Sequence, residues 1–351
     1  MIDDALYDVL VIGGGVVGLA ILRAATIKGY KCALVEAEPD LLSWASGSNS
    51  GIVCTGVDAS PGTLERALIR DSISCIRGFC MDHNIPHRPC GSLVCQWSWD
   101  DSTTTSTSTT TTKVTHTLQD VLAESHVAGD THASMLSSTQ VKKMEPNISQ
   151  ECQGAVHIPG EIVVDPWLFS IAYAVHAREN GAQIFTNWKF DPLASKYDGT
   201  IWTAVRADDG HSSSVSLLSS PSSIKARTIV NACGLWSDVI QATVTNQSTS
   251  SDHGQWSARP RRGQYRLFRT NDHTQIQHPI QPIPTQRTKG IFVFGTLYNQ
   301  IAVGPTALDQ ESRTDRSVDP AVAVDLASFA KKVIPKLDTE RDYVGDCKLS
   351  R

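Results

Sequence analysis

The chain has 351 residues, 40% of them hydrophobic, and a formal net charge of −5. That length holds two ordinary domains, or one large fold with an inserted part. Lys and Arg are scattered and the balance is slightly acidic, which argues against nucleic acid as a partner. No apolar stretch reaches the ~18 residues that span a bilayer, and the start, with Asp3 and Asp4, lacks the pattern of an export or transit peptide. A cytoplasmic location is the expectation, with the mitochondrion left open. The nine cysteines are then expected as reduced thiols. Cys75, Cys80, Cys90 and Cys95 form two C-x4-C pairs, wider than zinc pairs usually are, and no metal is predicted.

In chain order, residues 7–12 (YDVLVI) read as a buried strand bounded by glycines. Residues 16–28 read as a helix and 31–36 (KCALVE) as the next strand, a βαβ unit of about thirty residues. The turn between them, GGGVVG, holds Gly13, Gly15 and Gly18 in a G-x-G-x-x-G pattern. Gly13 suits the tight turn, Gly15 lets backbone approach a pyrophosphate, and Gly18 allows close helix–strand packing. The helix start at Val16 and Val17 presents free N–H groups and a positive dipole end to phosphates. Glu36 ends the second strand, where a carboxylate can accept from the ribose hydroxyls of a dinucleotide. A plain glycine-rich turn in an α/β core is the competing reading.

The fingerprint alone does not separate NAD from FAD. The next stretch, SGSNSGIVCTG, offers hydroxyls and an amide from Ser46, Ser48, Asn49 and Ser50, with Gly51 allowing backbone to lie close to a flat ligand. A second helix and strand would be expected there in an NAD domain. A soft loop suits a longer cofactor stretched beyond the pyrophosphate, so FAD is favoured.

Residues 66–81 read as an amphipathic helix. Residues 102–112 (STTTSTSTTTT) have no apolar face and read as a disordered surface insert. Asp165-Pro166 signals a helix start, and a strand (AQIF) follows Gly181. TAVRA and RTIVNACG read as further strands, 259–305 as β-like, and 321–333 as a last helix.

The segments DVLVIGGGVVGLAILRAATIKGYKCALVEAE, SGSNSGIV, IPGEIVVDPWLFSIAYAVHARENGAQIF, IVNACGLWSD, RPRRGQY and IAVGPTA resemble, in order, the FAD-dependent D-amino-acid oxidase superfamily. Within it they are most similar to the glycerol-3-phosphate dehydrogenase and L-2-hydroxyglutarate oxidase branch. The resemblance implies an α/β fold: a Rossmann-like FAD-binding domain (1–88 and 152–245) interleaved with a β-rich substrate domain (89–151 and 246–340), and a tail at 341–351. It implies that loop 46–51 wraps FAD and that the turn with Ala232 and Gly234 returns to it. The competing reading of that turn is an ordinary strand-to-helix connection.

The implied function is hydride transfer to flavin from a small anionic hydroxy substrate, such as glycerol 3-phosphate or a 2-hydroxy acid. Quinone, another acceptor or oxygen would take the electrons. Arg262 is the candidate anion clamp, because guanidinium pairs with carboxylate or phosphate bidentately. Tyr265 would place a hydroxyl nearby and His157 would serve as proton acceptor. Solvated or packing roles are the alternatives for Arg262 and His157. Lys289, Gly290 and the run Gly304, Pro305 and Thr306 sit at strand ends near the cofactor in relatives.

Two departures count against activity: Cys54 stands where relatives commonly carry His, and the closing C-terminal segment of relatives is missing. An inactive, truncated dinucleotide fold is therefore the alternative, and a NAD-dependent dehydrogenase the third reading.

Overall fold

The computed structural model describes residues 5–57, 59–100, 117–207, 221–245, 256–284 and 290–350. The Thr/Ser insert at 102–112 and Lys289 lie outside them.

Leu6–Ile12 is apolar on both faces because it is covered on both. It pairs in parallel with Cys32–Val35 on one side and Ser223–Asn231 on the other. Parallel neighbours require a crossover, and helix Val16–Ile27 supplies the first. Gln183–Phe185 extends the sheet beyond Cys32–Val35, while Trp202–Arg206 and Phe190–Tyr197 extend the other edge antiparallel, giving six strands. Helix Pro166–Glu179 brings the chain to Gln183 and packs Ala174 and Ala177 against Leu19 and Leu22 of the first helix.

The second sheet has nine strands. Its order is Leu308–Asp309, Arg261–Arg269, Gln300–Gly304, Phe292–Gly295, Ile280–Pro282, Ser92–Trp97, Cys152–Ile158 and Ser134–Ser137. The ninth strand, Tyr343–Ser350, pairs antiparallel with Arg261–Arg269. Two boundaries therefore differ from the sequence reading. Cys152–Ile158, assigned there to the nucleotide part, is hydrogen-bonded inside this sheet against Ser92–Trp97. The residues read as a tail form a strand, Tyr343–Ser350, whose backbone pairs along 262–268. The stretch 89–151 also carries two helices, Leu118–Val127 and Ser138–Met144, each opened by a reciprocal cap from Thr117 or Ser137.

The two faces of the nine-stranded sheet have different neighbours. Phe268, Val293, Ile301 and Val303 pack on Leu326, Ala330 and Val333 of helix Pro320–Val333. Tyr265, Phe292, Phe294 and Ala302 point the other way, toward Ile52. A small sheet of Ile52–Val53, Ile162–Val164 and His87–Arg88 stands between the two large ones.

Phe268 is fully buried at the centre of the helix-covered face. Phe268→Ala is expected to cost about 3–5 kcal/mol, transfer plus cavity, read as a lower midpoint in denaturant unfolding. An unchanged midpoint would show that this face is not a core.

Candidate functional site

The glycine-rich turn is shaped by backbone contact. Gly13 has φ +109°, and its N–H donates to the Val35 carbonyl at 2.9 Å. A Cβ there would lie 2.4 Å from the Ala232 carbonyl oxygen, and one on Gly18 would lie 2.0 Å from the Gly13 oxygen. Neither position admits a side chain. Gly15 differs: its Cβ would meet only the Ser46 hydroxyl, at 3.1 Å. It therefore faces a space that a ligand can use. Glu36 stands beside the same turn, its Oε2 accepting the Gly14 N–H at 2.6 Å and its Oε1 the Glu38 N–H at 2.8 Å. Both oxygens keep acceptor capacity for ribose hydroxyls.

The first helix has no side-chain cap of its own on Gly15. Its Val16 N–H donates instead to Ser46 Oγ at 3.0 Å, and Val17 is exposed. The loop is fixed internally: Asn49 donates to the Ser46 carbonyl at 2.6 Å and accepts the Gly51 N–H at 2.8 Å, and Ser50 Oγ accepts the Ile52 N–H at 3.3 Å. Gly51 has φ +70°, and a Cβ there would lie 2.2 Å from the Val164 carbonyl oxygen. The return turn closes the cradle. Ala232 N–H donates to the Ile12 carbonyl at 2.9 Å, and Gly234 adopts φ +53°. Burial, then the Glu36 carboxylate, pushes the Cys233 thiol up to about 12, so this cysteine stays protonated beside the turn. Glycines without room for Cβ, an open Gly15 and a strand-end carboxylate fit the adenosine and pyrophosphate half of a dinucleotide cofactor.

Two cavities flank loop 46–51. One, of about 360 Å³, is lined by Val16, Ser46, Asn49 and Gly51 on one side and by Ile76, Phe169 and Ser170 on the other. The second, of about 170 Å³, lies between loop 47–50 with the small sheet's Val163 and Val164 on one side and the nine-stranded sheet on the other. Ser48, Asn49, Ser50 and Asp165 form one wall, and Tyr265, Leu267, Phe294, Ala302, Tyr298 and Cys347 the other. Asp165 is nearly buried, and its Oδ1 caps helix Pro166–Glu179 by accepting the N–H groups of Trp167 (2.9 Å) and Leu168 (2.7 Å). Its Oδ2 accepts the Tyr298 hydroxyl, a bond that raises the phenol pKa. Among the described lining residues Asp165 is the one carboxylate, and none is Lys, Arg or His.

Of the three residues expected to act on substrate, the structure brings Tyr265 to this cavity. Arg262 lies three positions earlier on the same strand, hence on the opposite face. Its Nη1 donates to Asp315 Oδ2 at 3.0 Å and to Ser317 Oγ at 2.8 Å. His157 packs edge-on against His278 at 5.6 Å, and His278 in turn contacts buried Glu145 at 2.6 Å. Burial, and secondarily the His278 charge, lowers the His157 pKa. Neither Arg262 nor His157 lines either cavity. Sequence reading missed Asp165 and Tyr298 as wall residues; Asp165 announced itself only as a helix cap.

The fold and cradle define an α/β architecture of the dinucleotide-binding type. Residues 8–348 match the FAD dependent oxidoreductase family, and the chain belongs to it. It is 28% identical over 309 residues to the glycerol 3-phosphate dehydrogenase of Caloramator mitchellensis, covering 88% of this chain and 57% of that one. It is 25% identical over 345 residues to the glycerol 3-phosphate oxidase of Mycoplasma pneumoniae, covering 96% and 81%. A mitochondrial L-2-hydroxyglutarate dehydrogenase of Nematostella vectensis is 25% identical over 309 residues, covering 86% and 62%. The chain thus spans little more than half the length of some relatives. Among solved structures, the dithionite-reduced, FAD-bound L-alpha-glycerophosphate oxidase from Mycoplasma pneumoniae matches with TM-score 0.79 at 24% identity, covering 99% of this chain and 83% of that one. A glycine oxidase from Geobacillus kaustophilus matches with TM-score 0.76 at 19% identity, covering 99% and 82%. These two likenesses are of fold. Among the described residues no helix is long and apolar enough to cross a membrane.

Two outcomes are expected. Gly15→Glu should leave a folded chain, since only the Ser46 hydroxyl crowds the new Cβ, yet abolish cofactor binding by filling and charging the phosphate space. Full flavin occupancy in that variant would refute the cradle. Asp238, paired with Arg313 at 2.7 Å, has its pKa lowered to about 2, chiefly by that hydrogen bond. A depressed carboxylate pKa stabilises the fold above the unfolded value of ~3.9, and the benefit is lost as pH falls toward 2. Asp238→Asn should therefore flatten the acid limb of a stability-versus-pH curve; an unchanged limb would show that the pair is not coupled to folding.

Proposed function

We propose that the chain is a FAD-dependent dehydrogenase or oxidase of a small anionic hydroxy substrate, glycerol 3-phosphate or a 2-hydroxy acid. The cavity where loop 46–51 meets the face of Tyr265 carries the reading, because it gives a flat cofactor and a small substrate a shared wall. The names of the relatives support the substrate class. In this reading Gly13, Gly15, Gly18 and the Val16–Val17 helix start hold the pyrophosphate. Glu36 holds the ribose, and Ser46, Ser48, Asn49, Ser50 and Gly51 run along the rest, with Ala232 and Gly234 behind. When bound, flavin supplies the hydride acceptor; the chain's own residues orient the substrate and exclude water. We place the nucleotide part on the six-stranded sheet and the substrate part on the nine-stranded one, with the protein in the cytoplasm or mitochondrion.

The wall constrains the pose. A phosphate or carboxylate 4 Å from Asp165 would be repelled by about 4 kcal/mol at an effective dielectric of 20. The hydroxyl-bearing carbon, rather than the anionic end, therefore faces Asp165, and the anion-clamp role of Arg262 gains no support from its position. The same lone carboxylate favours a second reading, oxidation of a small amine whose ammonium it would meet.

The test is an absorbance spectrum followed by anaerobic reduction. Purified protein should be yellow, and glycerol 3-phosphate or L-2-hydroxyglutarate should bleach the flavin band. Bleaching by glycine or proline alone would favour the amine reading. Colourless protein that takes up no added FAD would point to the inactive fold, and NAD binding by that colourless protein to a dehydrogenase of the other kind. Oxygen uptake on turnover would separate an oxidase from a dehydrogenase.

A further inference from the structure

Arg262 belongs to a network that leads away from the cavity and back to the cofactor loop. Residues 310–317 leave the nine-stranded sheet after Leu308–Asp309 and fold on themselves. Gln310 Nε2 donates to the carbonyls of Ser312 (2.7 Å) and Asp315 (3.1 Å), and Asp315 N–H donates to Ser312 Oγ at 2.9 Å. Arg262 braces the base of this loop through Asp315 and Ser317.

Two guanidinium groups reach from it to the nucleotide side. Arg313 pairs with both Asp238 oxygens, at 2.7 and 2.8 Å, and donates to the Leu235 carbonyl. Arg316 donates to the Ser43 carbonyl at 2.7 Å while its guanidinium carbon lies 4.4 Å from the centre of the Trp44 ring. Trp44 is held in turn, edge-on to Trp236 at 4.6 Å and donating Nε1–H to Glu38 at 3.2 Å. Two residues beyond Trp44, Ser46 occupies the N–H of Val16 at the helix start.

We propose that residues 310–317 are a strap, and that Arg316 and Arg313 are positioning residues that hold loop 43–48 and the 232–238 turn ready for FAD. The proposal rests on the assignment of loop 46–51 to the cofactor. Its chemistry is specific to arginine at 316. A planar guanidinium can lie flat on an indole while its edge donates to a carbonyl; an ammonium cannot do both with the same geometry. Arg316 is exposed and outside both cavities, so its effect on FAD must pass through its two contacts, the Ser43 carbonyl and the Trp44 ring.

The experiment is FAD titration of apoprotein, followed by flavin fluorescence, for wild type, Arg316→Gln, Trp44→Leu and the double variant. Arg316→Lys and Arg313→Lys serve as conservative partners. Circular dichroism and thermal melting of each apoprotein report the folded fraction. The strap predicts a Kd raised about five- to tenfold in Arg316→Gln, equivalent to a loss of about 1–1.4 kcal/mol. It predicts a double variant no weaker than about the worse single, partial rescue by Lys at 316, and an unchanged folded fraction. Wild-type affinity in Arg316→Gln, fully multiplicative losses, or a Kd rise that merely tracks unfolding would each overturn it. Wild-type protein that takes up no FAD would remove the cofactor assignment, and the strap with it. FAD uptake without bleaching by any hydroxy acid would sink the substrate reading and leave the strap standing.

Discussion

Three stretches of backbone converge at Gly13 with no space for a side chain between them. The carbonyl of Ala232 and the start of the first helix both press on this turn, and the still closer approach, Gly18 against the Gly13 carbonyl, is what lets that helix lie on its strand. The parallel register of Leu6–Ile12 with its two neighbours sets where the three stretches end. The ends then define a crevice at the carboxyl edge of the sheet, where open α/β sheets bind ligands. This convergence also brings the Glu36 carboxylate onto the same turn as the helix start.

The second sheet has to be registered against that crevice, and apolar packing alone would allow it to slide. Tyr265, Phe294 and Ala302 are a smooth surface. Directional contacts remove the freedom: Tyr298 to Asp165, Arg88 to the Gly295 carbonyl at 2.8 Å, and Arg313 to Asp238. Partly buried, charge-assisted bonds of this kind have a strong preference for one geometry. They hold the layers in one register.

The glycine turn and its strand–helix–strand setting were legible from sequence because they are local. The glycine spacing, the strand–helix–strand order and Glu36 fall within thirty residues or so, and backbone sterics leave few other arrangements. The substrate half was harder to read. Arg262 and Tyr265 were grouped because they are near in sequence, yet strand parity separates residues three apart, and the RRGQYRLFR run already carried that information. The position of Cys152–Ile158 could not be read the same way, since its partners Ser92–Trp97 lie across the Thr/Ser insert. Nor could Arg313 be matched to Asp238, 75 positions away: many acids were equally plausible partners, and only the packed sheets choose one.

The charge distribution of the cavity follows from this assembly. Its wall is made of strand faces and a capped helix start, and a helix cap needs an acceptor, so an acid at 165 is present for structural reasons before any ligand arrives. One Asp165 oxygen is consumed by the helix and the other is left to the cavity rim, where the Tyr298 hydroxyl meets it. A group fixed by folding thereby sets the polarity of the site. It favours hydrogen-bond donors at that end and turns anions toward the other. The basic side chains nearest in sequence, Arg262 and Arg266, sit on the helix-covered face of the sheet. There they brace the scaffold, and the cavity's polar character is left to the hydroxyls and the Asp165 carboxylate.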